Sequence, residues 1–186
     1  SMTIGLMLVT YVLSMFMSNT ATITVVIAII SPLLNQVPKE NLSVRGMLLA
    51  LAIAASLGGM ATIVGTPPNA IAVASLAENG ISINFLEWMW IAGPPSLVLL
   101  GLSFLYIWLM YFKREQQKFK LEISELTKPS NQSSGIPWKL VFVVVITLGT
   151  IGLWMTQSLH EIHPTVVVFF AITLLTLTGV LTAVSL

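Results

Sequence analysis

The chain has 186 residues, of which 56% are hydrophobic and 8% charged, and its net charge is +1. Soluble globular domains carry roughly 25% charged residues, so an ordinary soluble domain is excluded. The small net charge leaves no global field to attract nucleic acid, and with no cysteine there are no disulfides, thiolate metal sites or cysteine nucleophiles.

Mean hydropathy is +0.94, and apolar runs near the roughly 20 residues needed to cross a bilayer recur along the sequence. Period-two alternation of the kind found in membrane β-barrels is missing. The expected fold is all-α: a polytopic membrane protein with a re-entrant helical hairpin, one discontinuous helix and about three full spans. The first residues lack a basic segment and a small-residue cleavage site, so no signal peptide is expected. The sequence opens and stops in apolar residues, as expected for a piece of a longer protein.

Residues 1–34 form the expected hairpin. Thr3 to Met17 and Ala21 to Leu34 are apolar arms reaching only about 20–23 Å each, against a hydrocarbon core of about 30 Å. Ser18-Asn19-Thr20 separates them. One long helix through these residues is the alternative, since Ser and Thr can bond back to carbonyls; Asn is harder to carry that way. Residues 35–46 form a polar link with Lys39, Glu40 and Arg45.

Residues 47–77 read as one discontinuous helix. Met47 to Leu57 is its first half and Ala70 to Ala77 its second, split by Gly65-Thr66-Pro67-Pro68-Asn69. Paired prolines remove backbone donors and clash with the preceding turn, and the residue before a proline is driven out of the α region. Glu78-Asn79-Gly80 makes a turn. Residues 85–112 are a long span with aromatic residues near both ends, as at bilayer interfaces, and Gly93-Pro94-Pro95 is expected to kink or start it. Residues 113–137 are a polar loop. Residues 138–156 and 164–186 are further spans, the last opening on Pro164 in a favourable first-turn position.

Lys and Arg cluster in the links 35–46 and 113–137 and are missing from the links Glu78 to Glu87 and Thr156 to His163. The positive-inside rule places the two basic links in the cytoplasm of a cell (inner) membrane. All spans then alternate without an added crossing.

Backbone broken at membrane depth is tolerated only where protein or a water-filled cavity surrounds it. Two such breaks close together point to a transport site. Ser14 and Ser18 lie four residues apart, so both hydroxyls face one side. Asn19 adds an amide oxygen, and Gly65 allows close approach and unusual dihedrals that expose a carbonyl. These four can form a small neutral oxygen cage for sodium. The helices beginning after Ser18-Asn19-Thr20 and near Pro68-Asn69 present unpaired N–H groups and positive dipole ends, which favour an anion. Thr20 and Thr66 add hydroxyl donors. Proton-coupled carriers usually place acids or histidines inside the bundle. Here Glu78, Glu87 and Glu161 fall near outer ends, which favours a metal cation as the coupling ion.

Ser18-Asn19-Thr20, with Ser14 before it, resembles the Ser-Asn-Thr (SNT) signature of the divalent anion/sodium symporters, the INDY-type dicarboxylate and citrate carriers. Gly65-Thr66-Pro67-Pro68-Asn69 is similar to that family's loop between the halves of its first discontinuous helix. The likeness covers essentially the whole chain but only the first half of such a carrier. It implies that Ser14, Ser18, Asn19 and Gly65 help bind one sodium ion, the coupling ion, with no organic cofactor. It implies that Ser18, Asn19, Thr20 and Thr66 lie beside the carboxylates of a small anionic substrate. It further implies half of an inverted-repeat elevator transporter: a homodimer among membrane lipids, in which hairpin and broken helix form a transport domain. A second inverted repeat would complete the site, so this stretch alone is not expected to transport. No catalysis is expected, since Ser18 has no His, Lys or Asp beside it in sequence. A carrier for sulfate, arsenite or another inorganic anion and a non-transporting scaffold are the rival readings. His160-Glu161-Ile162-His163 has metal-ligand spacing but no third ligand, and reads as a solvated loop.

Overall fold

The computed structural model describes residues 2–34, 41–112, 138–160 and 162–180. The described residues are helical, with no strand among them. The links 35–40 and 113–137, Glu161, and residues 181–186 of the last expected span lie outside them. Two compact units are separable: one runs to Ile83 and takes in the long helix from Glu87; the other joins Asn84–Leu86 to the C-terminal helices.

In the first unit, α1 (Met2–Ser14) and α2 (Asn19–Leu34) are separated by a short break. The break falls earlier than the sequence suggested. Met15 to Ser18 are the non-helical residues, and Asn19 and Thr20 already belong to α2. The cause is local capping. The Ser18 carbonyl accepts the Thr22 N–H at 2.9 Å, and Ser18 Oγ accepts the Ala21 N–H at 3.3 Å. Ser18 is thus the residue that starts the helix. Pro32 stays inside α2, near its end.

Helix α3 (Leu42–Met60) is the centre of this unit. It starts five residues ahead of the expected Met47, because the Asn41 side chain caps it by accepting the Ser43 N–H at 2.8 Å. Of its most apolar window 61% is buried, against 17% for α5 (Phe85–Ile107), so α3 is the helix the others wrap. Met7 and Tyr11 of α1 pack with Ala50, Ala54 and Leu57 of α3 and Leu100 and Ile107 of α5. On its other side, Val26 and Ile30 of α2 pack on Met47 and Leu51, with Leu6 and Leu13 of α1 against them. The small residues of α3 let helices come close, the usual means of packing where lipid removes the hydrophobic drive between helices.

After the break, α4 (Pro67–Glu78) runs with most of its residues exposed. It ends on Gly80, whose φ of 80° accepts the left-handed conformation while Ile81 N–H returns to the Leu76 carbonyl at 3.0 Å. Helix α5 is not broken at Gly93-Pro94-Pro95. The prolines lie inside it, and a π-helical turn, Trp108–Phe112, extends it. The Ser96 hydroxyl donates to the Gly93 carbonyl at 2.7 Å, so it accepts from the Tyr11 hydroxyl at 2.6 Å. This buried relay ties α1 to α5.

The second unit contains α6 (Trp138–Met155), the short α7 (Gln157–His160) and α8 (Pro164–Leu177). The Phe85 and Trp154 rings pack with centroids 5.4 Å apart and planes tilted by 34°. His163 caps α8 by accepting the Thr165 N–H, and Gly179, with φ 66°, closes it. Thus α8 stops at Leu177, short of the expected span 164–186. Among the described residues two helices, Leu42–Met60 and Phe85–Tyr111, are long and apolar enough to cross a membrane, with shorter apolar helices at Val141–Met155 and Pro164–Leu177.

Candidate functional site

The α1–α2 tip and the α3–α4 break are packed on each other. Ser14, at the end of α1, is fully buried. Its Oγ lies 2.7 Å from Asn19 Oδ1 and 2.7 Å from the Ala55 carbonyl. A hydroxyl has one hydrogen to share between these two acceptors. Three neutral oxygens therefore converge from three helices.

Across this cluster stands Gly59. A Cβ there would sit 2.6 Å from both Asn19 Oδ1 and Thr66 Cγ2. Gly65 in turn lies on Gly59: a Cβ on it would meet the Gly59 carbonyl oxygen at 2.5 Å and Gly59 Cα at 2.8 Å. The expected value of Gly65 is corrected in one respect. The positive-φ glycines among the described residues are Gly80 and Gly179, so Gly65 serves by its small size and not by an unusual dihedral.

The break itself is latched from within. Asn69 is buried, and its amide nitrogen donates to the Gly59 carbonyl at 2.8 Å and the Thr62 carbonyl at 2.7 Å. The fully buried Thr62 donates its hydroxyl to the Met15 carbonyl at the hairpin tip and accepts the Gly65 N–H at 3.1 Å. Trp88 Nε1 donates to the Met60 carbonyl at 3.1 Å, which sets the break beside the first turn of α5. Carbonyls freed by ending α3 are thereby mostly reclaimed by side chains.

The sequence-predicted residues divide accordingly. Ser14 and Asn19 are bonded to each other, and Gly65 and Thr66 join them through Gly59. Ser18 and Thr20 face outward and are exposed, Ser18 acting as the α2 cap. Ala55, Gly59, Thr62 and the latching role of Asn69 had no local signal. Their partners lie as far as 47 residues away in sequence.

The two helix starts are unequal as anion sites. In α2 the helix supplies no partner for the Asn19 and Thr20 N–H groups. In α4 the first two residues, Pro67 and Pro68, have no N–H, and Asn69 N–H returns to the Thr66 carbonyl at 3.2 Å. The first three backbone donors of α4 are therefore missing or engaged. The half-buried Thr66 hydroxyl makes no cap bond, so it remains a donor there.

The histidine pair is consumed locally. His160 Nδ1 accepts the Ile162 N–H at 3.0 Å, which assigns the proton to Nε2, 2.9 Å from the Leu153 carbonyl. His163 Nδ1 accepts from Thr165. No group of three or more metal-ligating side chains is present among the described residues.

A family model described as a citrate transporter, CitMHS, matches residues 1–186. An uncharacterized transporter of Haemophilus influenzae is 40% identical over 108 residues, covering 56% of this chain and 22% of that protein. The sodium-dependent dicarboxylate transporter SdcS of Staphylococcus aureus is 30% identical over 174 residues, covering 83% of this chain and 32% of that protein. The low-affinity phosphate transporter PHO90 of Saccharomyces cerevisiae is 28% identical over 155 residues, covering 83% and 16%. The chain thus spans a third or less of the length of these relatives.

Proposed function

Because this chain belongs to the citrate transporter family, whose members are membrane carriers and not enzymes, we propose that it supplies one half of a site that moves a small divalent anion together with sodium. The anion is a di- or tricarboxylate of the succinate or citrate type. The observation that carries this reading is the convergence of Ser14 Oγ, Asn19 Oδ1 and the Ala55 carbonyl beside the Gly59–Gly65 contact. Neutral oxygens suit an alkali cation, whose dehydration costs less than that of a divalent one. The chemistry of the donor set fits sodium, with the coordinating set centred on Ser14, Asn19 and Gly65 and with Ser18 at its edge.

The anion lies on the outward side of the same tip. Ser18, Asn19 and Thr20 present hydroxyl, amide and N–H donors at the positive end of α2, and Thr66 adds a hydroxyl from the other break. Sharing Asn19 between both ligands gives the coupling a physical basis: a cation on its Oδ1 steadies the amide that faces the anion. The second half of the pocket comes from an inverted repeat of the same protein. The hairpin and broken helix move as a transport domain, elevator-fashion, within a homodimer. The hairpin is re-entrant, with its base and the links 35–46 and 113–137 on the cytoplasmic side of the cell membrane. The largely apolar, outward-facing surface of α5 supports contact with lipid.

The test is uptake of labelled succinate, citrate and phosphate by the intact protein in proteoliposomes, with and without an inward sodium gradient. Sodium-driven uptake of a carboxylate is expected. Uptake that ignores sodium would overturn the coupling. Uptake of phosphate alone would favour the inorganic-anion reading, which the likeness to a phosphate transporter supports.

A further inference from the structure

Thr22 carries a hydroxyl that the site described so far does not use. Helical threonines in this chain usually bond back along their own helix. The hydroxyls of Thr10, Thr24, Thr150, Thr173, Thr176 and Thr178 each donate to the carbonyl four residues earlier, at 2.7–2.9 Å. Thr22 has the same option, since the Ser18 carbonyl is four residues back and already accepts its N–H. It does not take it. The side chain is fully buried, and Oγ1 has no hydrogen-bond partner. A buried hydroxyl is rarely left unpaired, because the loss of hydration is not repaid.

Its place in the fold says what it waits for. Thr22 follows Asn19 by three residues, so it lies one turn deeper on α2, buried where Ser18 at the start of the helix is exposed. Continuing along that face, Val26 and Ile30 pack against Met47 and Leu51 of α3. Extending this antiparallel register by one turn toward the tip sets Thr22 level with Ala54 and Ala55. The Ala55 carbonyl is the one that receives Ser14 Oγ. Thr22 is therefore one turn below Asn19 on the side of α2 that faces α3, while Ser18 and Thr20 are exposed.

We propose that Thr22 is a specificity-determining residue of the cation site, its Oγ1 completing the oxygen set around Ser14 and Asn19 from below. This rests on the sodium-coupled reading above. A buried hydroxyl freed from its helix has lone pairs to offer a cation. Its fixed depth sets the size of the cage and thus the preference for sodium over larger alkali ions.

The experiment compares Thr22→Val, which keeps the shape and removes the oxygen, with Thr22→Ser, which keeps the oxygen, in the intact purified protein. Sodium is titrated against choline at constant ionic strength without anion, and melting temperature is read. The same variants are assayed for the sodium concentration giving half-maximal succinate uptake. Thr22→Val is expected to raise the half-saturating sodium about tenfold or more in both assays, the loss of one ligand to a charge. It should also narrow the gap between sodium and potassium, while sodium-free stability stays level or rises. Thr22→Ser should titrate like wild type. An unchanged sodium titration in Thr22→Val would overturn the proposal and leave the hydroxyl as a packing feature. If Thr22→Val does not fold, Thr22→Ala carries the same comparison. A wild-type protein that neither binds sodium nor needs it would overturn the coupled reading itself, a result distinct from a silent Thr22.

Discussion

At the α3–α4 break, Asn69 and Thr62 bind the freed backbone from inside, and Trp88 takes a further carbonyl. At the α1–α2 tip, Ser14 and Asn19 hold one another, Ser18 and Thr20 stay exposed, and Thr22 is buried without a partner. Both are interruptions in apolar helices, and both were expected to offer ligands. Yet one is closed and the other is open. A break that satisfies itself acts as a rigid frame, while polar groups left over at the other are available to something that arrives later. The difference separates substitutions that should damage the fold from those that should damage binding.

The largest effect is expected at the contact between frame and frame. In Gly65→Ala the new methyl meets the backbone of Gly59, not a flexible side chain. We expect a loss of about 3 kcal/mol or outright failure to fold, read as a collapsed monodisperse peak and melting temperature. Next is Asn69→Ala, which orphans the Gly59 and Thr62 carbonyls in a buried setting. A loss of about 2 kcal/mol is expected, measured by thermal unfolding, with the half-saturating sodium of the remaining folded protein near that of wild type.

Asn19→Ala sharpens the contrast. It removes one partly buried hydrogen bond, so stability should fall by about 1 kcal/mol, but sodium-dependent uptake should vanish. Normal sodium dependence in that variant would remove the tip from the site. The smallest stability effect belongs to Ser18→Ala, which loses a long, exposed cap of about 0.5 kcal/mol. Its readout is a weakened apparent affinity for the anion with a melting temperature lowered by only about 1–2 °C.

The sequence made the existence of both breaks legible, because Pro67-Pro68 and Ser18-Asn19-Thr20 have no comfortable place inside an apolar helix. It misplaced the first by a few residues, since a serine that looks like a gap is also a good helix start. It placed α3 too late for the same reason at Asn41. Gly93-Pro94-Pro95, expected to kink or start the span, does not start α5 but lies inside it, with Ser96 bonded back to Gly93 and held by Tyr11 from α1. Ser14 and Asn19 were readable as a pair from spacing and residue type. The latch was not, because Asn69 looks like any turn asparagine until Gly59 and Thr62 are brought to it. Long-range closure of this kind, as between Thr62 and Met15, leaves no local pattern.

The most direct measurement is the rise in melting temperature on adding sodium, compared between wild type, Asn69→Ala and Asn19→Ala. A ligand that binds the folded state stabilises it by mass action. The predicted result is a sodium-induced rise in wild type, the same rise from a lower baseline in Asn69→Ala, and none in Asn19→Ala despite a nearly normal baseline. A full sodium-induced rise in Asn19→Ala, with its loss in Asn69→Ala, would contradict the assignment of ligand to the tip and frame to the break.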